Sequence, residues 1–574
     1  MPPTSQSKTW DFIIVGSGPA GSALASKLAV TAKNPHILLL EAGPRTTDRA
    51  LLVSGNRWTT FQNPSINWGY KTTPQTHCHG REIDYSRGKV LGGSSAINFG
   101  VYTIGAADDY DAWAGLIDDE QFSWEKMQKR FKDLENFDTS LGVKNETYRW
   151  FAAPKEEDHG TKGKLKLGYA EEWEEDLPLV MDAFQAAGWK WNMDHNSGDP
   201  IGVALGINSV CRGVRSTARD LIEGEEGRTG LDVLTGRGVR RVLIEGGRAV
   251  GVEVEGGEVF FASKEVILCA GSLDTPKILM HSGIGPADQL NQFTIPIVQD
   301  TPCIGQGLRD HPDAPLCFLR NPATNNRNDF FGSQPAMDAA MAQWLADGTG
   351  PWAQHASQIM MGWLKSDAVV SSSEFADLPE SVQAFLQRPT VPHYEIASHF
   401  PIHMLAPGLI KDHSYVCLVL FLMNGQSKGE VRLQSSDPNT PLLFNANFLS
   451  HPYDRRVCIE ATRELLAVTQ HPAFKKDTVE MIIGPQSESE EDILDFWRST
   501  VTSAWHMTGT VKMGREGDAD AAVDSRFRLF GFEGLRVADM SVVPLLTNNH
   551  TQATAYVTGV TCAEVLIAEY GLET

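Results

Sequence analysis

The chain has 574 residues, with 50 basic against 72 acidic side chains and a formal net charge of −22. A surface this acidic repels phosphate backbones and anionic lipid, which argues against nucleic acid or a membrane surface as partner and leaves small neutral or cationic ligands. Hydrophobic residues make up 41% and charged residues 21%, a composition that supports a sizeable core and excludes a disordered or fibrous chain.

The length prior of roughly 100 to 200 residues per domain gives about three to five units, but large cofactor enzymes spread fewer domains over more chain, and two interleaved domains are expected. The amino terminus, Met1 to Trp10, is polar, without a basic n-region or a cleavage site. The longest apolar run, Tyr415 to Met423, falls short of the ~20 residues of a membrane-spanning helix. The eight cysteines are scattered without a C-x-x-C pair, as expected of reduced thiols. These features predict an intracellular protein, with a secreted mature form left open by the glycosylation sequon Asn145-Glu146-Thr147.

The first motif runs from an apolar strand at Phe12 to Val15 through Gly16-Ser17-Gly18-Pro19-Ala20-Gly21, a helix over Ser22 to Leu28, and a second strand ending at Glu41. Glycines at 16, 18 and 21 permit a sharp turn, close approach to a pyrophosphate and packing of helix on strand, while the helix amino terminus stabilises the phosphate charge. Glu41, 20 residues beyond Gly21, is placed to accept hydrogen bonds from a ribose. Strand, turn, helix, strand and acid in this order predict a dinucleotide site, for FAD or NAD.

Acidic stretches at Glu156 to Asp158 and Glu171 to Asp176 read as solvated faces, and the polar segment Asn321 to Gly350 as an insertion or lid. Val239 to Ile244 and Ala249 to Glu255 alternate as a hairpin before an apolar strand, Glu265 to Ala270, expected to return to the nucleotide domain. Tyr415 to Met423 and Gly429 to Ser435 read as strands of a separate antiparallel sheet.

Arg87-Gly-Lys-Val-Leu-Gly-Gly-Ser-Ser-Ala-Ile-Asn98 and Ala270 to Gly285 resemble both signatures of the glucose-methanol-choline oxidoreductases. The resemblance continues in order through Ile304 to His311, Gly429 to Pro438, Trp505 to Gly514 and Leu535 to Pro544, nearly the whole chain. It implies an α/β, two-domain fold: a Rossmann-like FAD-binding domain split over residues 1–70, 86–110, 200–315 and 500–574, and a substrate domain with a mainly antiparallel sheet over 71–85, 111–199 and 316–499. It also implies a cofactor set of Gly16, Ser17, Gly18, Pro19, Gly21, Glu41, Trp68, Val90, Gly92, Gly93, Asn98, Val239 and Asp539, with Asp539 near the ribityl and pyrophosphate groups. Gly92 and Gly93 lack side chains and so let the main chain run close to an isoalloxazine ring. Some members attach FAD through a histidine where this chain has Ile97, so noncovalent FAD is expected.

Oxidising an alcohol by hydride transfer requires removal of the hydroxyl proton, a task suited to histidine with its reference pKa of ~6.5. By the resemblance His506 is the base. The second position, histidine or asparagine in the family, falls on His550 in Asn548-Asn549-His550-Thr551-Gln552, with Asn549 as the neighbouring alternative.

Other constellations carry less. Gly425-Gln-Ser427-Lys-Gly429 matches a hydrolase elbow, but a strand rather than a helix follows, so a hairpin turn is expected. His77-Cys78-His79 lacks a partner cluster and no metal is expected. His399 and His403 are separated by Pro401, which disfavours a helical metal pair and leaves pocket lining.

The His-Thr-Gln context and Trp505 look most like aryl-alcohol and hydroxymethylfurfural oxidases. That implies a primary alcohol on a flat ring as substrate, O2 as acceptor, peroxide as product, and Trp505, Phe400 and Phe421 as candidate walls. One departure is Phe99-Gly100 after Asn98, where many members carry an arginine before the glycine. Rival readings are a dehydrogenase passing electrons to a quinone or protein, and a lyase or cyclase that keeps FAD without net redox turnover.

Overall fold

The computed structural model describes residues 8–53, 60–138, 151, 153–170, 173–211, 213–227, 229–322, 324, 327–353, 358–400 and 414–573. The first of two large sheets opens with β1 (Thr9–Val15), followed by α1 (Pro19–Ala29) and β2 (Ile37–Glu41). Beside β2 lies Leu231–Thr235, and on the other side of β1 lies β3 (Val259–Leu268). β3 pairs with Arg248–Val254, whose hairpin partner is Val239–Glu245, and at its far end with Leu535–Val537. The two pairings made by Arg248–Val254, with Val239–Glu245 and with β3, are antiparallel and the rest are parallel. Phe12 to Val15 and Ile37 to Leu40 are buried, as their unbroken apolar runs require of parallel strands covered on both faces.

After β3 the chain enters α2 (Gly271–His281), and the last helix, α3 (Gln552–Tyr570), packs on α1. The helices approach closely at Gly559, where a Cβ would lie 2.0 Å from the Ala20 carbonyl oxygen. Amino-terminal, central and carboxy-terminal segments thus contribute strands to one sheet and the helices packed on it.

The second sheet is antiparallel. Its core is β4 (Pro312–Arg320), β5 (Tyr394–Ser398) and β6 (Ser414–Leu422), in the order Thr478–Ile483, β4, β6, β5, Met360–Leu364, Gly202–Leu205, with Thr502–Ser503 against the start of β4. Register places Asp313, Phe421, Glu395 and Trp363 side by side across four strands, hence on one face. The sheet takes in Gly202–Leu205 and all of β4, although the sequence reading gives 200–315 to the nucleotide domain.

Other expectations also change. Gly429–Arg432 does not join β6; it lies in a separate three-stranded sheet between Gln306–Leu308 and Leu443–Asn445. In the acidic stretch 171–176, Glu174 and Asp176 are buried, and Asp176 faces His399 with Oδ1 and Nε2 3.2 Å apart. His399 is therefore an interior residue paired with a carboxylate and does not line the cavity described below; Pro401 and His403 lie outside the described residues, as does Asn145. The expected lid contains the helix Gln334–Asp347, whose Trp344 is buried in one apolar cluster with Trp363 and Phe421 of the second sheet. Among the described residues no helix is long and apolar enough to cross a membrane, and no group of three or more His, Cys, Asp or Glu side chains could hold a metal ion.

Candidate active site

A cavity of about 480 Å³ runs from the amino end of α1 to the segments bearing Trp505, His506 and His550. At its deep end Gly16 (φ +101) turns the chain out of β1, and a Cβ on Gly21 would stand 1.9 Å from the Gly16 carbonyl oxygen. Gly18 lines the cavity, and a Cβ there would meet no protein atom within 4 Å. No side chain caps α1, so its first-turn N–H groups remain available to an anion.

Glu41 is buried and lines the same cavity. Its Oε2 accepts from the Ser17 main-chain N (3.1 Å) and hydroxyl (2.6 Å), and its Oε1 from Gly43 N (2.8 Å). Burial pushes its carboxyl above the usual range despite these donors. Ser17 Oγ in turn accepts from Gly92 N (3.1 Å), so the glycine turn, Glu41 and the Gly92-Gly93 loop form one braced unit. Gly92 (φ +99) and Gly93 (φ +55) are left-handed, and a Cβ on Gly93 would lie 2.7 Å from Gly18 Cα. Asp539 closes the unit by accepting from Gly271 N (2.8 Å), Thr275 Oγ1 (2.6 Å) and Ser541 N (2.8 Å). An elongated cleft with an uncapped helix end and a side-chain-free floor fits a dinucleotide, and these residues would hold one.

The opposite end is lined by His506 and His550, whose rings meet edge to face with centroids 4.8 Å apart. Asp310 gathers this end. Its Oδ1 accepts from the main-chain N of His506 (2.7 Å) and His311 (2.8 Å), and its Oδ2 from the Tyr85 hydroxyl (2.6 Å) and from Ser503. His506 Nδ1 and His311 Nδ1 are 3.0 Å apart, so one donates to the other. Burial above all, then repulsion from His550, His311 and Arg87, holds His506 well below its usual pKa. Burial likewise brings His311 down to about 3, and both are neutral at pH 7. His550 Nε2 lies 2.8 Å from Glu395 Oε1, and its main-chain N donates to Thr103 Oγ1 (2.7 Å).

Trp505 adopts φ +61, a conformation costing a bulky residue on the order of 1–3 kcal/mol. Its N–H reaches Ser503 Oγ (2.8 Å), its indole N–H reaches the Asp84 carbonyl (3.1 Å), and its ring meets Phe61 (5.0 Å) and Phe99 (5.6 Å). Strain is thus concentrated one residue before His506.

Of the residues singled out from sequence, the cavity brings together Gly16, Gly18, Pro19, Glu41, Trp68 and Gly93 with Asn98, Val239, Asp539, Trp505, His506 and His550. Ser17, Gly21 and Gly92 sit behind its wall and shape it. Val90 does not reach it, being buried in an apolar cluster with Ile66, Ala96 and Ile97. Neither Phe421 nor Phe400 lines it: the Phe421 ring stands 5.7 Å from that of His550, and Phe400 packs behind Phe99 at 6.2 Å. Asn549 turns away from the cavity, its amide donating to Thr103 O (3.2 Å) and Thr554 Oγ1 (2.9 Å), whereas His550 lines it.

Sequence reasoning missed Asp310, His311, Glu395 and Arg215. The first two stand in a quoted motif, where a buried carboxylate beside a histidine was the available signal. Glu395 has no local signature beyond an acid within an apolar strand. Arg215 is buried without a carboxylate partner among the described residues; it donates to Asn98 O and Oδ1, and burial lowers it to about 10. Asn98 then donates to Gln552 Oε1 (3.0 Å), tying the Gly92-Gly93 loop to the start of α3.

Known proteins share this organisation. The amino- and carboxy-terminal family models described as GMC oxidoreductase match residues 10–313 and 425–559. An oxygen-dependent choline dehydrogenase of Rhizobium etli is 30% identical over 572 residues, covering 98% of this chain and 96% of its own. Among solved structures, pyridoxine 4-oxidase from Mesorbium loti superposes with a TM-score of 0.80 at 26% identity, covering 97% and 99% of the two chains. A fungal aryl-alcohol oxidase superposes with a TM-score of 0.83 at 24% identity, covering 98% and 99%, a likeness of fold.

Proposed function

The chain belongs to the GMC oxidoreductases, and we propose that it oxidises a primary alcohol on a flat unsaturated ring, aryl or furfuryl, to the aldehyde, with O2 reduced to hydrogen peroxide. The observation that carries this reading is the pair His506 and His550, 4.8 Å apart at the end of a cavity whose other end suits a dinucleotide. FAD, when bound, supplies the hydride acceptor and the route to oxygen. Ile97 is buried away from the cavity and offers no group for attachment, which supports noncovalent binding.

The chain's own residues manage the proton. His506, neutral at pH 7, commits Nδ1 to His311 and keeps Nε2 for the substrate hydroxyl proton. For this the Nδ1 proton sits on His506 and is accepted by His311 Nδ1. His550 turns Nε2 to Glu395, so its Nδ1 donates to the substrate oxygen in the doubly protonated form, where both ring nitrogens carry hydrogen. Asp310 fixes both His506 and His311 through their main-chain N–H groups, so the base is positioned before substrate arrives.

The aromatic shelf of Trp505, Phe99 and Phe61 supports a planar substrate. The named choline dehydrogenases motivate choline as the second reading. Aromatic faces hold a quaternary ammonium as well as a flat ring; what stands against choline is that Glu395 is fully buried against His550 and that burial pushes the Asp313 carboxyl up to about 8, which leaves that row of the sheet without a free carboxylate.

Anaerobic mixing of the holoenzyme with benzylic, furfuryl, aliphatic and sugar alcohols and with choline, followed by admission of air, tests the reading. Bleaching of the flavin by ring alcohols with rapid recovery and peroxide is expected. Bleaching only by choline would replace the substrate class, slow recovery would indicate a dehydrogenase, and no bleaching would shift weight to a lyase or cyclase.

A further inference from the structure

Asp109 lies in the first turn of the helix Ala107–Ile117, fully buried, with no arginine, lysine or histidine among the described residues bonded to it. Buried carboxylates are ordinarily paired with a cation. Here both oxygens are taken by one asparagine: Oδ2 accepts from Asn548 N at 2.7 Å and Oδ1 from Asn548 Nδ2 at 2.6 Å. The Asn548 carboxamide is gripped from its other side by Asn424 Nδ2, 2.7 Å from Asn548 Oδ1, and Asn424 also donates to the Pro392 carbonyl (2.7 Å). Asn424 follows β6 and Pro392 precedes β5, so the joint ties that helix and the carboxy-terminal segment to the sheet bearing Glu395.

The bond pattern selects a carboxylate. Two N–H donors on one residue need two acceptor oxygens, and an asparagine at 109 would turn an NH2 against one of them. There is no slack nearby. Gly105 holds φ +87, and a Cβ there would stand 3.3 Å from Asn549 Cβ and 3.4 Å from Asp109 Oδ2. Two residues beyond Asn548 comes His550, whose Nε2 meets Glu395 across the domain boundary.

We propose that Asp109 is a positioning residue for the reaction, holding through Asn548 the turn that sets His550 against Glu395 and the substrate oxygen. The proposal rests on the reading of His550 given above. Burial brings the Asp109 carboxyl up to about 7 despite the Asn548 and Ala106 hydrogen bonds, and the neighbouring Asp108, itself engaged by Thr390 and Arg388, also opposes its ionisation. Above that pH the ionised carboxylate accepts both donors, and below it a proton occupies an oxygen one of them needs.

The test uses Asp109→Asn and Asn548→Ala in the full-length holoenzyme. In each, flavin content is expected to hold while the rate of flavin reduction by alcohol falls about 10- to 100-fold, the scale of an ångström-level misplacement. The wild-type rate should fall as pH drops below about 7, and Asp109→Asn should lose that dependence. In a His550→Ala background, Asp109→Asn should cost nothing further. An activity-independent readout is carbethoxylation of His550, followed by peptide mass spectrometry at pH 7.5, which should accelerate at least about 5-fold in both variants while His506 labelling stays unchanged. Unchanged reduction and labelling in either folded variant, or an equally large loss in the His550→Ala background, would overturn the proposal. If no alcohol bleaches the wild type, the functional reading falls, and the His550 labelling rate alone decides whether Asp109 positions that turn.

Discussion

The two ends of the cavity are built by different means. The nucleotide end is made of main chain: glycines whose missing side chains leave room, and an uncapped helix end, most of it within residues 12–43. The histidine end is made of side chains from residues 310, 311, 395, 506 and 550, joined by Asp310 and by a row of the second sheet. A binding floor assembled from adjacent residues fails when one backbone contact is lost. A catalytic end assembled from distant side chains should lose chemistry one group at a time and keep its cofactor.

The largest expected effect tests the first half of that contrast. Gly21→Ala places a Cβ 1.9 Å from the Gly16 carbonyl oxygen and should separate α1 from β1. The variant should purify without flavin, checked by the ratio of 450 nm to 280 nm absorbance; retained flavin would mean the turn yields more easily than its backbone contacts suggest. His506→Ala tests the second half. It should keep FAD and lower the rate of flavin reduction about 10²- to 10⁴-fold in stopped flow, the usual worth of a positioned base. If it loses FAD instead, the two ends are not separable.

Glu395→Gln should act more mildly. It keeps a side chain of the same size beside His550 but removes the carboxylate, and about a 10-fold drop in kcat/KM with unchanged flavin content is expected. The smallest effect concerns Asp313, in the same row of the sheet. Because burial raises its folded-state pKa to about 8, its stabilising contribution is full below its unfolded pKa of ~3.9 and is lost as pH rises through 8. Asp313→Asn should therefore melt with the wild type near pH 4 and about 1–3 °C above it beyond pH 8.

The parts legible in sequence follow the same division. The dinucleotide unit, the Gly92-Gly93 loop and the strands of the first sheet appear where the pattern predicts, because each depends on local steric rules for glycine or on continuous apolar runs. The pair His506 and His550 was legible from motifs, and the structure adds the distance between them. Glu395 was not legible: its sequence neighbours Tyr394 and Ile396 mark only a buried strand, and its role exists because β5 and β6 carry it over His550. The acidic stretch 171–176 misled for the related reason that charge density reads as exposure, whereas Asp176 is buried beside His399. Val90, Phe400 and Phe421 stand behind the cavity rather than in its wall, since an apolar side chain gives no local sign of whether it faces a void or a neighbour.

The nucleotide floor, the family and the candidate base follow from residue type and spacing, because they rest on short-range geometry. Which carboxylate meets which histidine, and the hold of Asp109 on Asn548 from 439 residues away in the chain, come from the packing of distant segments. Hydrogen bonds of 2.6–2.8 Å between such distant residues depend on how the two sheets and the last helix settle against one another, and no local pattern encodes that closure.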